Sequence, residues 1–248
     1  MIWYKIWRES QARFLIGAAV LGGMCVAYVL FEPKLFSELA RERPFVTSYL
    51  NYIYWKIYAG PTRGMMQLAC LLLGLGGLQR DRKQQTIGFT LALPISRTRL
   101  IATRAGVGVF QVAVLSLLPA LLIFAASPVV HQHFPLEWAL PFVGLWMAGG
   151  LATFALSFVC SVIFASEYTS LAVSYVVYFF YLAATRLPSL APYPLHIGDI
   201  MSGRVHALMD LKTAMWTGDF PVAIFSGFIA ASMLMFFVAN LITRRQDV

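Results

Sequence analysis

The chain has 248 residues, of which 59% are hydrophobic and 12% charged, and its formal net charge is +8. A soluble domain carries roughly twice that charged fraction, so the composition excludes an ordinary soluble globular protein. Excess Lys and Arg in a soluble chain would indicate nucleic acid, but in a membrane chain these residues collect at the cytoplasmic ends of spans. We therefore expect a membrane protein with no nucleic-acid partner.

Apolar runs close to the length of a transmembrane helix, about 20 residues, recur along the whole chain. They predict an all-α membrane protein that forms one transmembrane domain over residues 1–248. No connection is long enough for a separate soluble domain. Six transmembrane helices are expected, at 14–31, 63–79, 103–126, 139–165, 169–185 and 221–242.

Charge at the span ends predicts the orientation. With an even number of spans both termini lie on one side, and with that side cytoplasmic the inner segments carry 11 Lys and Arg against 8 outside. The inner Lys and Arg residues also lie in short segments close to the span ends, where they have the strongest influence on orientation. Both termini are therefore expected in the cytoplasm.

The first 13 residues, MIWYKIWRESQAR, are too polar to span. On a helix, Trp3 and Trp7 share one side, while Lys5 and Arg8 tend to the other. Such residues suit an amphipathic helix lying in the membrane interface, in contact with lipid headgroups. The alternative is that they extend the first span as a tilted helix.

The connection after the first span contains FVTSYLNYIYWKIYAG at 45–60, with four Tyr and one Trp. Its polar groups prevent it from spanning, so an external interfacial helix is expected, with a substrate-gating cap as the alternative. The connection at 186–220 is Pro-rich but retains apolar residues. It predicts a broken or re-entrant external element before span six.

Chemistry inside the spans is limited to hydroxyl and amide groups. Such groups join helices or line an amphipathic path, and the candidate substrate path consists of Gln67, Gln111, Tyr175 and Tyr178. No ionisable residue lies near the middle of a span, which argues against an ion-coupled carrier. The energy for any transport must then come from another chain.

Catalytic and metal sites are not expected. No phosphate-binding loop of the form G-x-x-x-x-G-K-S/T occurs, so the chain does not bind ATP in that way. The four histidines are expected in outer loops, with an outer-face metal site as the alternative. Cys25, Cys70 and Cys160 fall inside predicted spans and are interpreted as packing residues.

The stretch RDRKQQTIGFTLALPISRTRL, from Arg80 to Leu100, lies between spans two and three. Pro94 divides it, because proline removes a helical hydrogen bond. Upstream, Thr86 can cap a short helix over IGFTLAL, and downstream Ser96 can cap the third span. The exposed short helix needs a groove, in lipid or in a soluble protein, to bury its apolar side chains.

This stretch resembles the loop between spans two and three of type-2 ABC exporter permeases. Asp81 stands at the acidic position of that loop, Thr86-Ile87 matches its Thr-Leu pair, and Pro94-Ile95-Ser96-Arg97 matches its end. Gln85 replaces the usual Gly and Gly88 replaces a second acidic residue. The predicted layout of an N-terminal amphipathic helix, six spans and a broken element before span six is similar as well.

The resemblance implies that the short helix is a coupling helix that docks on a separate ATPase subunit. The residues assigned to this coupling are Asp81, Thr86, Ile87, Phe89, Leu91, Leu93, Pro94, Ser96, Arg97 and, in the inner link before span five, Glu167. It further implies two permease chains, as a homodimer or heterodimer, two ATPase copies that hold the ATP and Mg, and surrounding membrane lipids. The expected location is the inner membrane of a prokaryote.

These features predict the membrane subunit of an ATP-driven exporter that is not itself an enzyme. The aromatic outer segments and uncharged spans favour an amphipathic or hydrophobic substrate such as a lipid, peptide or drug. A non-transport ABC subunit with a sensory or immunity role is one alternative. A six-span substrate-capture protein or a membrane enzyme is another.

Overall fold

The computed structural model describes residues 2–75, 96–164, 166–190, 193–205 and 208–245, together with the side chains of these residues except Ile2 and Arg97. In this part of the chain the secondary structure is helical, apart from one isolated bridge between Met209 and Trp216. The α-helical class predicted from the sequence is therefore confirmed.

The helices follow in chain order, with short turns between several of them. Their bounds are α1 Ile2–Leu30, α2 Glu32–Glu42, α3 Tyr49–Ile53 with a π-helical turn Tyr54–Tyr58, α4 Pro61–Gly74, α5 Arg97–Ala126 with a 3₁₀ turn Ser127–Val130, α6 Leu136–Ile163, α7 Glu167–Ala184, α8 Ile197–Met201 and α9 Val222–Arg245.

Within the described residues, four helices are long and apolar enough to cross a membrane: Trp3–Leu30, Thr98–Val130, Leu136–Ile163 and Val222–Arg245. They correspond to predicted spans one, three, four and six. Predicted span two appears as α4, whose 14 described residues extend about 21 Å against about 30 Å of hydrocarbon. Predicted span five appears as α7, which has 18 residues.

Helix α6 forms the centre of the fold. Its face toward the bundle is buried along the whole helix, and α4, α5, α7, α8 and α9 all pack on it. Helix α1 packs on α5 and α4. The close approach of α4 is possible because Gly74 has no side chain: a Cβ there would lie 2.6 Å from Cβ of Ser157.

The prediction of a separate N-terminal interfacial helix is wrong. Residues 2–13 continue directly into the first span as one helix of 29 residues, as in the alternative. Its length of about 43 Å exceeds the hydrocarbon thickness, so the first turns can reach the headgroup region without a break. Burial of Ile6 against the bundle fixes this extension.

Residues 45–60, expected to form an external interfacial helix, are helical over residues 49–58 and pack into the bundle, while their position relative to a membrane stays a prediction. In helix α3 and the π-helical turn, Tyr52, Tyr54 and Tyr58 are 0–2% exposed. The Tyr52 hydroxyl donates to the carbonyl of Tyr28 at 2.7 Å, and that of Tyr54 to the carbonyl of Ser202 at 3.0 Å. The buried hydroxyls of Tyr52 and Tyr54 therefore have hydrogen-bond partners inside the protein.

The expected break before α9 is confirmed by the short helix α8 and the turns around it. Ile197, Ile200 and Met201 of α8 are buried against the bundle. The three cysteines are buried and form no disulfide with one another. We call the end of the bundle that contains the start of α1 the N-terminal end, and the end that contains α3 and α8 the opposite end.

Candidate functional site

Charged and polar side chains join the helices at the N-terminal end of the bundle. Glu9 of α1 accepts a hydrogen bond at 3.0 Å from Arg104 of α5, whose side chain is only 6% exposed. Two turns farther along α5, Gln111 donates to the hydroxyl of Ser10 at 2.8 Å. These contacts fix α1 against α5 by polar bonds in a largely apolar protein. We call the set Glu9, Ser10, Arg13, Arg104, Gln111 and Glu167 the polar cluster.

Arg13 connects three helices within the polar cluster. One of its terminal nitrogens donates to the carbonyl of Leu75, which follows α4, and the other lies 3.0 Å from a carboxylate oxygen of Glu167 at the start of α7. An exposed carbonyl at a helix end is normally left to water or a capping group. Arg13 supplies that partner here, so α1, α4 and α7 are linked through one side chain.

The chain leaves the described bundle at Leu75 and re-enters it at Ser96, both at the N-terminal end. The Ser96 hydroxyl accepts a hydrogen bond of 3.2 Å from the backbone N–H of Arg99, which confirms the predicted helix cap. Thr98, the second residue of α5, accepts a hydrogen bond of 3.1 Å from Arg244 at the end of α9. Both ends of the segment 76–95 are thus attached to the polar end of the bundle.

A small cavity of about 30 Å³ lies among these groups, lined by Glu9, Arg13 and Gln111 and closed by Phe154 and Phe158. This volume accommodates a water molecule, which needs roughly 10–15 Å³ and two to four polar partners. The polar cluster can therefore exchange hydrogen bonds through a water molecule as well as directly. Hydrogen bonds that can be exchanged for bonds to water can be rearranged with a smaller loss of free energy than contacts in a dry, close-packed core.

Most residues assigned to ATPase coupling lie outside the described part of the chain: Asp81, Thr86, Ile87, Phe89, Leu91, Leu93 and Pro94. Of the remainder, Ser96 caps α5 and Arg97 occupies its first turn. Glu167 begins α7, where its carboxylate pairs with Arg13 of the same chain. The polar cluster was not predicted from the sequence, although Glu9, Arg13 and Arg104 are charges next to long apolar runs.

The four residues named for membrane contact all lie in the first turns of α1. Trp3, Lys5 and Arg8 are exposed, and Arg8 contacts Gln11 at 3.5 Å. Trp7 is half-buried and packs on the rings of Phe14 and Phe110.

The four residues of the candidate substrate path occupy different places. Gln67 is buried, with its amide 3.4 Å from the sulfur of Met201 in α8, toward the opposite end. Gln111 belongs to the polar cluster at the N-terminal end. Tyr175 is half exposed on α7. Tyr178 is buried and borders a groove between α7 and α9.

This α7–α9 groove has a volume of about 720 Å³. Helices α7 and α9 each pack on α6, and the space between them forms the groove. Its lining is almost entirely apolar: Ala152, Thr153 and Leu156 of α6, Val177, Tyr178 and Tyr181 of α7, Pro194, Leu195 and Ile197 before and in α8, and Ala223, Ile224, Gly227, Phe228, Ala231 and Met235 of α9. The groove was not predicted from the sequence. The pattern that could have indicated it is the recurrence of small residues every four positions on α9, at 223, 227 and 231.

Charged residues cluster at the opposite end beside this groove. Arg186 holds Asp199 by two contacts of 3.2 Å, and Arg63 donates to the carbonyl of Gly198. The backbone N–H of Asp199 donates to Nδ1 of His196 at 3.1 Å. Burial lowers the pKa of His196, against the opposing effect of Asp199, so the ring is neutral at pH 7 and accepts this bond.

An aromatic core closes the opposite end. Phe142 of α6 stacks on Tyr58 at a centroid distance of 4.2 Å and contacts Trp138 at 5.1 Å and Trp216 at 4.6 Å. The indole of Trp146 donates to the carbonyl of Met201 at 3.1 Å, which attaches α8 to α6. We call Tyr54, Tyr58, Trp138, Phe142, Trp146 and Trp216 the aromatic core.

Within the described ranges, no group of three or more His, Cys, Asp and Glu side chains could hold a metal ion. His131 and His133 lie in the turn between α5 and α6, while His206 is outside the described residues. No protein-family model matches this chain, and no curated protein matches it either. The sequence and geometry together define an all-α protein with helices suited to a membrane.

Proposed function

We propose that this chain is the membrane-spanning permease subunit of an ATP-driven ABC exporter. It moves an amphipathic or hydrophobic substrate outward, and the energy comes from a separate ATPase subunit. The observation that carries the proposal is the sequence of residues 81–97, which resembles the coupling loop of type-2 ABC exporter permeases. The described geometry at both ends of that loop supports it.

A coupling loop must pass a movement of the ATPase to several helices. The segment 76–95 is continuous with α4 at one end and with α5 at the other. Arg13 extends the link from the end of α4 to α1 and α7. A displacement of this segment would therefore act directly on two helices and, through the polar cluster, on two more.

The proposed membrane topology has six spans, with α4 and α7 as spans two and five. Both termini and the polar cluster then face the cytoplasm of a prokaryote, as the distribution of Lys and Arg favours. The aromatic core and α8 face outward. Two permease chains associate, as a homodimer or heterodimer, above two ATPase copies that bind ATP and Mg.

The division of labour between the subunits gives a first experiment. The purified permease, having no phosphate-binding loop of the usual form, is expected to hydrolyse no ATP, whereas the complex with its ATPase hydrolyses ATP and exports substrate. Hydrolysis by the pure chain would contradict the proposal. A complex that hydrolyses ATP without any efflux would instead favour the non-transport subunit.

Docking of the short helix gives the second experiment. Phe89 and Leu93 are four residues apart in the sequence and would share one face of the proposed helix, and full burial of such a side chain contributes roughly 1.5–3 kcal/mol. Phe89→Asp should weaken binding to the ATPase at least about tenfold, since about 1.4 kcal/mol is one decade. Arg97→Ala should have a smaller effect, because an exposed ion pair contributes at most about 1 kcal/mol.

The matched control is Phe31→Asp, which makes the same change at an exposed residue of the opposite end. Pull-down of the ATPase by each variant at equal expression provides the measurement. Equal binding by wild type and Phe89→Asp would place the helix on lipid and remove the main support for the proposal.

Cysteine labelling tests the topology separately. A cysteine at Gln84 should react only from the cytoplasm, and one at Gln132 only from outside. The three native cysteines are buried and give little background. Reversed labelling would overturn the orientation, and with it the cytoplasmic position of the polar cluster.

A further inference from the structure

The α7–α9 groove has the size and lining of a ligand site. Its volume of about 720 Å³ lies inside the range of roughly 300–1,000 Å³ that is typical of small-molecule sites. Its wall on α9 is formed by Ala223, Gly227 and Ala231, one helical turn apart. A Cβ added at Gly227 would meet no other atom within 4 Å, so the groove is open at that point.

The surfaces on both sides of the groove are apolar and exposed. On α7, Val176, Phe179 and Phe180 are 49–69% exposed, and on α9, Met233 and Leu234 are 63–65% exposed. In the proposed six-span topology both α7 and α9 cross the membrane, and surfaces of this kind then face hydrocarbon. Acyl chains of the bilayer are therefore the molecules next to the opening.

The end of the groove toward α8 meets positive charge. Pro194, Leu195 and Ile197 line the groove, and His196 between them borders the pair of Arg186 and Asp199. Arg63 interacts electrostatically with Asp199 and with Arg204, whose guanidinium lies over the ring of Trp55, so three guanidinium groups accompany one acidic side chain in this described cluster. His196 is neutral and leaves that excess unchanged. Arg186, 61% exposed, is available to a further anion.

We propose that the α7–α9 groove binds one anionic phospholipid from the leaflet that contains Arg186. An acyl chain fills the apolar groove along Ala223, Gly227 and Ala231, and the phosphate group lies against the guanidinium of Arg186. The excess of positive charge selects a headgroup with net negative charge over a zwitterionic one. Binding rests on the part of the proposed function that places α7 and α9 against lipid, but it uses none of the residues from 76 to 97 and needs no ATPase.

A second copy of the chain is the competing occupant, because small residues four apart also allow close packing of two helices. The charge favours the lipid. A second helix packed on the small residues would need no guanidinium excess at the end of the groove, whereas a phosphate group requires it. Arginine, with its planar set of donors, is well suited to phosphate.

The experiment uses the full chain reconstituted with phosphatidylglycerol that carries a photoactivatable group on its acyl chain, mixed with unlabelled phosphatidylcholine. After irradiation, mass spectrometry locates the labelled peptides and measures the labelled fraction. Wild type should be labelled between residues 222 and 235. Gly227→Phe should reduce this labelling at least about tenfold, as expected for a loss of about 1.4 kcal/mol.

Gly23→Phe is the matched control, since Gly23 is exposed on α1 and a Cβ there also meets no atom within 4 Å. Its labelling between 222 and 235 should equal that of wild type. Ala231→Leu gives a smaller obstruction of the same groove and is used if Gly227→Phe does not fold. Equal labelling of a folded groove variant and wild type would overturn the assignment of the acyl chain.

The headgroup is tested with Arg186→Gln and with Arg41→Gln, an exposed arginine on α2, as control. Arg186→Gln should reduce the preference for labelled phosphatidylglycerol over equally labelled phosphatidylcholine by up to roughly fivefold, as for one exposed ion pair. No preference in wild type would overturn the anionic assignment. An unlabelled groove that becomes labelled when the chain is made monomeric would identify the second copy as the occupant.

Discussion

The two ends of the bundle are held together by different forces. At the opposite end, the rings of the aromatic core are buried except for that of Trp216, which is half-buried, and Phe142 contacts Tyr58, Trp138 and Trp216. At the N-terminal end, the polar cluster joins helices through single side chains such as Arg13, and several of these groups remain partly exposed. Close-packed rings have one arrangement of low free energy, whereas ion pairs and hydrogen bonds can exchange with water.

This difference indicates which end can move. An element changes position most readily where its contacts are few, polar and accessible to water. At the N-terminal end the side chains of Glu9, Arg13 and Glu167 make polar contacts and are 19–36% exposed, and the segment 76–95 begins and ends there. At the opposite end, in contrast, buried aromatic rings join α3, α8 and the first turns of α6, and we expect this end to move less. For an exporter, a movable inner end and a less mobile outer end would let helices pivot about the aromatic core.

The largest expected effect comes from removing the centre of the aromatic core. Phe142→Ala leaves a cavity among Tyr54, Tyr58, Trp138 and Trp216 and should lower the free energy of unfolding by about 3–5 kcal/mol. The measurement is reversible unfolding of the protein in mixed micelles. Phe179→Ala, at a residue 62% exposed on α7, is the control and should change the free energy by no more than about 0.5 kcal/mol. Similar losses in both variants would show that the opposite end is not a packed core.

How far the sequence could predict these two ends depends on whether their contacts are local. Long apolar runs predicted α5, α6 and α9 because each run is sufficient by itself, and the cap at Ser96 needs only its own first turn. Burial of Tyr52 and Tyr54 was not predictable in this way, since their hydroxyls bond to Tyr28 and Ser202, at positions distant in the sequence.

The polar cluster and the groove were missed for a related reason. Glu9 and Arg104 are 95 residues apart, and no periodic pattern in the chain connects them. The α7–α9 groove exists because two helices pack on α6 without filling the space between them, which is a property of their arrangement and not of either sequence. The coupling residues from Asp81 to Pro94 were assigned from a motif and remain a prediction.

The next effect tests the strongest link of the polar cluster. Glu9→Gln keeps the shape of the side chain but removes the charge that faces the buried side chain of Arg104. A hydrogen bond to a charged group contributes about 1.5–3 kcal/mol, and we expect a loss of that size in the same unfolding measurement. Glu38→Gln, at an exposed residue of α2, provides the matched control with almost no loss. If Glu9→Gln were as costly as Phe142→Ala, the two ends would not differ in strength.

A close backbone contact at the N-terminal end refines the comparison. A Cβ at Gly74 would lie 2.6 Å from Cβ of Ser157, 2.8 Å from the carbonyl oxygen of Phe154 and 2.9 Å from the backbone nitrogen of Phe158. Gly74→Ala should therefore push α4 away from α6 and cost about 1–3 kcal/mol. Gly64→Ala, on the same helix with no atom within 4 Å, should be neutral or stabilise by up to about 1 kcal/mol. A neutral Gly74→Ala would show that α4 shifts freely even at this contact.

The smallest effect is expected for the ion pair between Arg13 and Glu167, which is accessible to water. The side chains of Arg13 and Glu167 are 19% and 36% exposed, so water and salt screen their ion pair, and its coupling energy should be at most about 1 kcal/mol. A double-mutant cycle with Arg13→Gln and Glu167→Gln isolates that energy from the separate bond between Arg13 and the carbonyl of Leu75. Because an exposed pair is screened, the coupling should fall further between 0.05 and 0.5 M salt, concentrations at which the Debye length shortens from roughly 14 Å to 4 Å. The loss from Phe142→Ala should not change in this way, since no charge is involved. A coupling above about 2 kcal/mol that is independent of salt would mean that Arg13 locks α1, α4 and α7 as firmly as aromatic packing locks the other end, and the N-terminal end would then not be the movable one.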